Sequence, residues 1–567
     1  MTTDAPAIEP DESPGRWTWA RLSLIGLTLV VLAPICGHDF LWWDDHGTIH
    51  QNPWLNPPTI ASLFHYWKTP QYGLYIPVTG SVWTAIAAIA RVQPDRFDIS
   101  LNPWFFHAAS VIAHLIATLL MFRIFRLLNA TAWAAFFGAT VFAIHPLQIE
   151  SVAWASGLKD VLAGMFAAAA ALQYIRFALA KQSGDKWIGR LIAATIFFEL
   201  AMLSKASATM LPLAVIALDR WAVGRRWREI IPAGIAWIVL AVPIAVYASI
   251  VQDPGNTPIT PLPLRPLIAC DALAFYLFKL VWPLNLGVDY GRTARVVIEH
   301  GWLWWDWIVP VGVAVILWLG RARRPILLAA AGIFVAGLFP TLGWTPTLYQ
   351  FYTTTADHYV YFAMFGVGLA VAWLLSVYPQ RWLWSLAVII VVVMSILSLI
   401  QQSYWRNDYA LFEHSVQVNP NSYISFGNLG SAYARDGRYP EALGIFCRAV
   451  QINPDYSLSF SNLGHVLAEM DDIDGALAAD QKSIELQEKH STMRPSWVRD
   501  NQQAAELLMK RGQYANAERY LQNGIEFDSQ NETLLGLLSE CQRRGRLSDH
   551  TSTTSTTLTV PSSDPSR

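Results

Sequence analysis

Two adjacent carboxylates, Asp44 and Asp45, follow the first apolar run of the chain, and their position suggests acid–base chemistry. Trp42, Trp43 and Trp54 flank them. Since Trp concentrates at membrane–water interfaces, we expect the pair at a membrane surface, where a lowered dielectric can raise the pKa of one carboxyl. A raised pKa suits a general base. The structural alternative is that one of the two merely caps a short interfacial helix.

Three other segments carry ionisable side chains at the ends of apolar runs. They are His145, Glu150 and Lys159 in one hairpin, Lys205 at a span end, and Asp357 and His358 at the start of a later span. A charge at membrane depth persists only with a partner or a function. Structural alternatives exist, because His145 before Pro146 can end a helix and Lys205 can extend to the headgroups. Together, carboxylates that activate a hydroxyl and cations that hold an anionic leaving group indicate a transferase acting on a lipid phosphate.

Length and composition indicate an integral membrane protein. Of the 567 residues, 53% are hydrophobic, only 14% are charged and 26 are Trp, which is too apolar for a soluble enzyme. About eleven apolar runs approach the length of roughly 20 residues that crosses a bilayer. They lie near 20–37, 104–126, 131–147, 151–178, 188–204, 206–223, 230–251, 303–320, 325–342, 358–378 and 382–401. Segment 267–283 is apolar but interrupted, and it is predicted to lie along the membrane or to re-enter it.

Basic residues on alternate connections predict the orientation. They are Arg123, Arg126, Lys181, Lys186, Arg190, Arg220, Arg225, Arg226, Arg228, Arg321, Arg323 and Arg324. By the positive-inside rule, these loops and the N-terminus lie in the cytoplasm. The opposite, outer face then holds the paired carboxylates, the other three ionisable segments and everything after residue 401.

The polar C-terminal part carries a repeat. Asn419-Pro420 recurs as Asn453-Pro454, and Asn428-Leu-Gly430 recurs as Asn462-Leu-Gly464, both 34 residues later. This is the period of the tetratricopeptide repeat, a pair of helices with small residues where the two helices cross. Half a repeat, 405–418, precedes these copies, and a third, weaker copy follows an insertion near 488–495. We therefore expect an α-solenoid that binds other proteins.

Motifs in the membrane part resemble those of a known family. They are Trp43-Asp44-Asp45, Phe142-Ala-Ile-His145-Pro146 with Glu150-Ser-Val-Ala-Trp154, Leu203-Ser-Lys205, and Asp357-His358-Tyr359-Val-Tyr361. Together they resemble the membrane O-mannosyltransferases that carry tetratricopeptide repeats, and more distantly the protein O-mannosyltransferases and other glycosyltransferases of GT-C type. The resemblance implies a polyprenyl-phosphate sugar as the donor, the acid pair at the catalytic centre, and inversion at the sugar carbon.

The candidate site residues follow from these two lines of reasoning. Asp44 and Asp45 are the catalytic candidates, with Asp44 favoured as the base. The donor phosphate is assigned to Lys205, Lys159, His145 and His358, with Glu150 and Asp357 in support. Lys205 is preferred because the sequence offers it no obvious acidic partner. Lys159 and His358 stand where the relatives usually have Arg, and His358 is charged only when protonated.

We predict an all-α protein with four parts: a cytoplasmic tail (1–19), a polytopic GT-C-like domain (20–403), the repeat solenoid (404–547) and a disordered tail (548–567). It would move a sugar, mannose by resemblance, to a hydroxyl of a protein or envelope glycan. No metal, other cofactor or nucleic-acid partner is expected. The absence of a retention signal or transit peptide favours a bacterial inner membrane, with the solenoid in the periplasm.

Two other classes of protein are considered. A transporter with a repeat-built docking domain fits less well, because carriers bind substrate near the bilayer midplane and these charges cluster at one face. A non-catalytic assembly factor, in which only the repeats act, stays open.

Overall fold

The computed structural model describes residues 14–252, 260–344, 348–489 and 495–555, which are helical almost throughout. Within those ranges three isolated β-bridges occur and no β-strand. The chain forms two compact units that divide after Pro420. The predicted all-α fold, with a helical membrane domain and a tetratricopeptide solenoid, is confirmed.

The first unit is built from seventeen α-helices in the described residues. They are α1 Pro14–Leu32, α2 Ile60–Lys68, α3 Pro77–Ile89, α4 Pro103–Leu127, α5 Ala132–Ile144, α6 Ile149–Ala153, α7 Leu158–Ser183, α8 Ile188–Ser204, α9 Leu211–Leu218, α10 Trp227–Val251, α11 Arg265–Val281, α12 Ala294–Glu299, α13 Ile308–Gly320, α14 Pro325–Leu338, α15 Met364–Val377, α16 Arg381–Tyr404 and α17 Asp408–Val418.

Seven helical segments of the described residues are long and apolar enough to cross a membrane. They are Gly15–Gly37, Pro103–Leu127, Ala155–Ser183, Ala206–Val223, Trp227–Val251, Trp302–Gly320 and Arg381–Tyr404. A pair bent by 50°, Ala132–Ile144 with Pro146–Ala153, brings the number to eight if it is one span. The other predicted spans, 188–204, 325–342 and 358–378, coincide with the shorter helices α8, α14 and α15. Helix α3 is a further short apolar helix that the run lengths did not predict.

Small residues let the helices that carry the candidate site approach closely, as is common in membrane bundles. A Cβ added at Gly164 of α7 would lie 2.2 Å from the Tyr361 ring. One added at Gly138 of α5 would lie 2.4 Å from the carbonyl oxygen of Gly368 on α15. The first contact places α7 beside the segment before α15, and both of these bring ionisable residues to the site; the second places α5 beside α15.

The described residues of the second unit form seven α-helices, each packed against the next along the chain. They are α18 Tyr423–Arg435, α19 Tyr439–Ile452, α20 Ser457–Glu469, α21 Ile473–Lys489, α22 Pro495–Lys510, α23 Tyr514–Phe527 and α24 Glu532–Ser555. Ala442, Ala476 and Ala517 are fully buried at the repeat positions where small residues are expected. Residues 490–494 of the predicted insertion, 1–13 of the N-terminal tail and 556–567 of the C-terminal tail lie outside the described residues.

Candidate active site

Asp45 is fully buried, and its carboxylate accepts three hydrogen bonds. The amide of Leu41 donates to Oδ2 at 3.0 Å. Ser156 donates to Oδ1 from its amide at 2.8 Å and from its hydroxyl at 2.5 Å. Burial raises the pKa of Asp45 to about 6, although these hydrogen bonds oppose the shift. Since three of roughly four acceptor positions are occupied, Asp45 mainly fixes the loop to the turn before α7.

Asp44 differs from its neighbour because solvent reaches its side chain. Protein atoms nevertheless surround the carboxylate closely enough that desolvation raises its pKa, against the opposing charges of Lys159 and His46. The backbone carbonyl of Asp44 accepts hydrogen bonds from the amide and the hydroxyl of Thr48, at 2.9 and 2.8 Å. In the described residues no group donates to the carboxylate itself. Asp44 is therefore held by its backbone with an accessible carboxylate of raised pKa, as a general base requires.

Lys159 links the carboxylate loop, residues 38–45 with Asp44 and Asp45 at its end, to the rest of the site. Its Nζ donates to the carbonyl of Ser156 at 2.9 Å and lies 4.0 Å from the centre of the Trp154 ring. The charge of Lys159 acts on both Asp44 and Asp45. The side chain is buried, so this attraction is weakly screened.

Lys205 forms an ion pair with Asp160, the residue that follows Lys159. The expectation that Lys205 has no acidic partner is therefore wrong. Asp160 reaches Lys205 from the first turn of α7, while Lys205 stands at the C-terminal end of α8, and α7 and α8 pack along each other. The second carboxylate oxygen of Asp160, Oδ2, is buried and accepts no hydrogen bond from the part of the chain that the structure describes.

Glu150 connects the hairpin to the segment before α15. Its Oε1 lies 2.6 Å from Nδ1 of His358, and its Oε2 accepts the amide of Asp357 at 3.1 Å. The carboxylate of Asp357 accepts the Tyr290 hydroxyl at 2.7 Å. The predicted supporting residues Glu150 and Asp357 are thus in one network with His358.

A cavity with an empty volume of about 450 Å³, including its open mouth, lies beside these groups. Asp160, Lys205 and His358 line it, together with the hydroxyl-bearing residues Ser207, Thr341, Tyr359 and Tyr361. The Nζ of Lys205 lies 5.8 Å from the centre of the Tyr359 ring. Three segments that are far apart in sequence therefore bring a lysine, a histidine and a carboxylate to a single opening. Such a lining can take an anionic group of a ligand.

His145 occupies a different place from the one predicted. Its Nδ1 accepts the amide of Leu147, and its Nε2 donates to the carbonyl of Leu280, both at 3.2 Å. Both ring nitrogens are thus engaged by backbone at the end of α5, ahead of Pro146. His145 therefore ends helix α5, which was the structural alternative to phosphate binding. Neither of its ring nitrogens is left to bind a phosphate.

Two residues that position the site were not singled out from the sequence. Ser156 holds Asp45, and its only signal is its place in the hairpin, three residues before Lys159. Asp160 was visible beside Lys159, but its contact with Lys205 depends on how α7 and α8 pack. Neither long-range contact follows from spacing within one segment.

Comparison with known proteins identifies a repeat in the second unit and distant homologues of the chain. A model of the tetratricopeptide repeat matches residues 425–457. The chain is 21% identical over 491 residues to "Protein O-mannosyl-transferase TMTC3" of Homo sapiens, which covers 75% of this chain and 51% of that protein. It is 33% identical over 118 residues to "Protein O-mannosyl-transferase Tmtc2" of Drosophila melanogaster, covering 20% of this chain and 12% of that protein.

Among solved structures, the tetratricopeptide-repeat domain of P58(IPK) aligns with 70% of this chain and 95% of its own, at 13% identity and a TM-score of 0.24. The chain spans about half the length of human TMTC3. The resemblance inferred from the motifs is confirmed over three quarters of the sequence: this chain is a distant homologue of the TMTC O-mannosyl-transferases and carries a tetratricopeptide repeat.

Proposed function

We propose that this protein is a membrane glycosyltransferase that moves mannose from a polyprenyl-phosphate donor to a hydroxyl of a protein or glycan acceptor. The observation that carries the proposal is the contrast between Asp44 and Asp45. One carboxylate is accessible with a raised pKa, and the other is buried and hydrogen-bonded. The names of the distant homologues support the transfer of mannose to protein.

In the proposed reaction the acceptor hydroxyl oxygen attacks C1 of the sugar from the face opposite the phosphate. Asp44 takes the hydroxyl proton as the new C–O bond forms. The bond between C1 and the phosphate oxygen breaks, and its electron pair leaves with the polyprenyl phosphate. Attack from the opposite face inverts the configuration at C1, and no metal is required in this scheme.

The leaving phosphate needs positive charge where its own charge increases. Lys205 lines the cavity, and the charge of Lys159 acts both on the cavity's ion pair and on the two carboxylates of the loop. His358 completes the lining, with its Nδ1 held by Glu150. We assign the donor phosphate to Lys205 and Lys159, with His358 beside them, and place the whole site at the outer face of a bacterial inner membrane.

The test is transfer of labelled mannose from a polyprenyl-phosphate donor to periplasmic extract by the purified full-length protein. Asp44→Asn keeps the side-chain shape and removes the base, so the rate should fall by about 10²–10⁴ while donor binding persists. Asp98→Asn is a control, because Asp98 is an exposed acid in another interhelical segment, between α3 and α4, and its left-handed φ of 60° suits Asn.

Asp45→Asn should instead lower both activity and stability. An amide can replace only one of the two oxygens, and its NH₂ group would then face a donor. Full activity in both Asn variants would refute the assignment. Inactive wild-type protein that binds no donor would favour the assembly-factor alternative.

A further inference from the structure

Helix α17 departs from the repeat pattern at one buried position. Asp408 stands 34 residues before Ala442, which stands 34 residues before Ala476. Both alanines are fully buried at the position where the repeat pattern places a small residue. Asp408 is only 6% exposed, so the half repeat buries a carboxylate where the full repeats bury a methyl group. A buried carboxylate requires hydrogen-bonding partners to be tolerated.

One partner of Asp408 is the backbone of the carboxylate loop. The amide of Trp42, two residues before Asp44, donates to Oδ1 of Asp408 at 2.8 Å. The same loop is tied at Asp39, whose amide donates to the carbonyl of Arg406 at 3.0 Å. The ring centres of Trp43 in the loop and Phe412 in α17 lie 6.1 Å apart. α17 therefore packs against the loop that carries the proposed base.

The same helix also holds a second loop of the site. Nε2 of His414 donates to the carbonyl of Leu286 at 2.8 Å. The Asn419 side chain donates to Asp289 at 3.2 Å. Tyr290, the next residue of that loop, donates to Asp357 in the network with Glu150. α17 and the residue that follows it thus contact the loop that carries Asp44 and the loop whose Tyr290 holds Asp357.

We propose that Asp408 is a positioning residue that sets the place of Asp44 through the Trp42 amide. The half repeat would then serve the transferase unit rather than the solenoid, in agreement with its place in the first compact unit. The inference rests on the proposed function, in which Asp44 is the base. A displacement of about 1 Å at a reacting group can lower a rate by about 10²-fold, so the anchor of this loop affects catalysis directly.

Three substitutions in the full-length protein test this role. Asp408→Ala restores the residue of the full repeats and removes the acceptor, and we expect kcat to fall about tenfold to a hundredfold with donor KM unchanged. Asp408→Asn keeps an oxygen for the Trp42 amide and should retain most of kcat. Asp408→Glu keeps the charge, displaces the acceptor by one methylene and should behave like Ala. Gln417→Ala, at an exposed position of the same helix, is the matched control.

Hydrogen exchange provides a readout that does not need transferase activity. Amides of residues 40–48 should exchange faster in the Ala and Glu variants and at the wild-type rate in the Asn variant. Equal loss of kcat in the Asn and Glu variants, or wild-type kcat and exchange in the Ala variant, would overturn the proposal. If Asp408→Ala does not fold, the other two variants test the proposal: Asp408→Asn should keep kcat and exchange rates, and Asp408→Glu should change both. Wild-type protein without transfer activity would refute the proposed function, while the exchange rates still test the anchor.

Discussion

Lys205 and Asp160 form an ion pair at the wall of the cavity, with side chains 14% and 5% exposed. The pair changes what a substitution of Lys205 means. Removing the cation leaves a buried carboxylate without its ion-pair partner, a change that destabilises proteins by about 3–5 kcal/mol when the pair is fully buried. A loss of activity in Lys205→Met alone would therefore not separate a folding defect from lost donor binding.

A double variant separates the two effects. We expect Lys205→Met to lower both thermal stability and donor affinity, because it leaves Asp160 unpaired and removes a phosphate ligand. Lys205→Met with Asp160→Asn should recover stability but still bind the donor about tenfold or more weakly, in line with the strength of charge-assisted hydrogen bonds. Melting temperature and donor affinity of the purified variants check this. Wild-type donor affinity in the stable double variant would show that Lys205 does not bind the donor phosphate, and would assign that role to Lys159.

The charge of Lys159 should set the pH dependence of transfer. Burial raises the pKa of Asp44 and Lys159 lowers it, so Lys159→Met should raise that pKa further. The base acts when ionised, so kcat/KM rises with pH through its pKa, and the acid limb should move to higher pH in Lys159→Met. Lys159→Arg keeps the charge and should leave the limb in place. An unchanged limb in Lys159→Met would contradict the assignment of Asp44.

The sequence predicted that the four ionisable segments meet, because ionisable residues at the ends of spans on one side of a membrane lie at the same membrane surface. It did not predict the pairing within that face. Lys159 and Asp160 are adjacent, yet on a helix successive side chains point about 100° apart, so Lys159 reaches the carbonyl of Ser156 and Asp160 reaches Lys205. Which neighbour each reaches depends on the packing of α7 against α8.

The repeat period had a similar limit. It identified 405–418 as half a repeat from its spacing, but spacing says nothing about what a helix packs against. In the sequence, Asp408 stands where the aligned copies have Ala442 and Ala476. This difference indicates that α17 packs against another part of the protein than the helices of the full repeats do. Helix α3 was missed for another reason, since its 13 residues fall well short of a bilayer-spanning run.

Cysteine labelling tests the predicted orientation. Cys447 is exposed, and a protein without Cys36, Cys270 and Cys541 would report on the solenoid directly. An impermeant thiol reagent should label Cys447, and a new Cys at exposed Gln51, in intact spheroplasts. A Cys at exposed Arg228 should be labelled only after lysis, because the positive-inside rule places it in the cytoplasm. Protection of Cys447 in intact spheroplasts would place the solenoid in the cytoplasm.

Two glycines on one helix of the solenoid provide a matched test of the repeat packing. A Cβ at Gly430 of α18 would lie 2.8 Å from the Phe446 ring of α19, whereas one at Gly427 meets no atom within 4 Å. Gly430→Ala should destabilise the second unit by about 1–3 kcal/mol, the usual effect of overpacking. Gly427→Ala should stabilise it by up to about 1 kcal/mol, because Ala favours the helix. Limited proteolysis of the full-length protein compares the two, and equal effects would show that α18 and α19 are less closely packed than the structure has them.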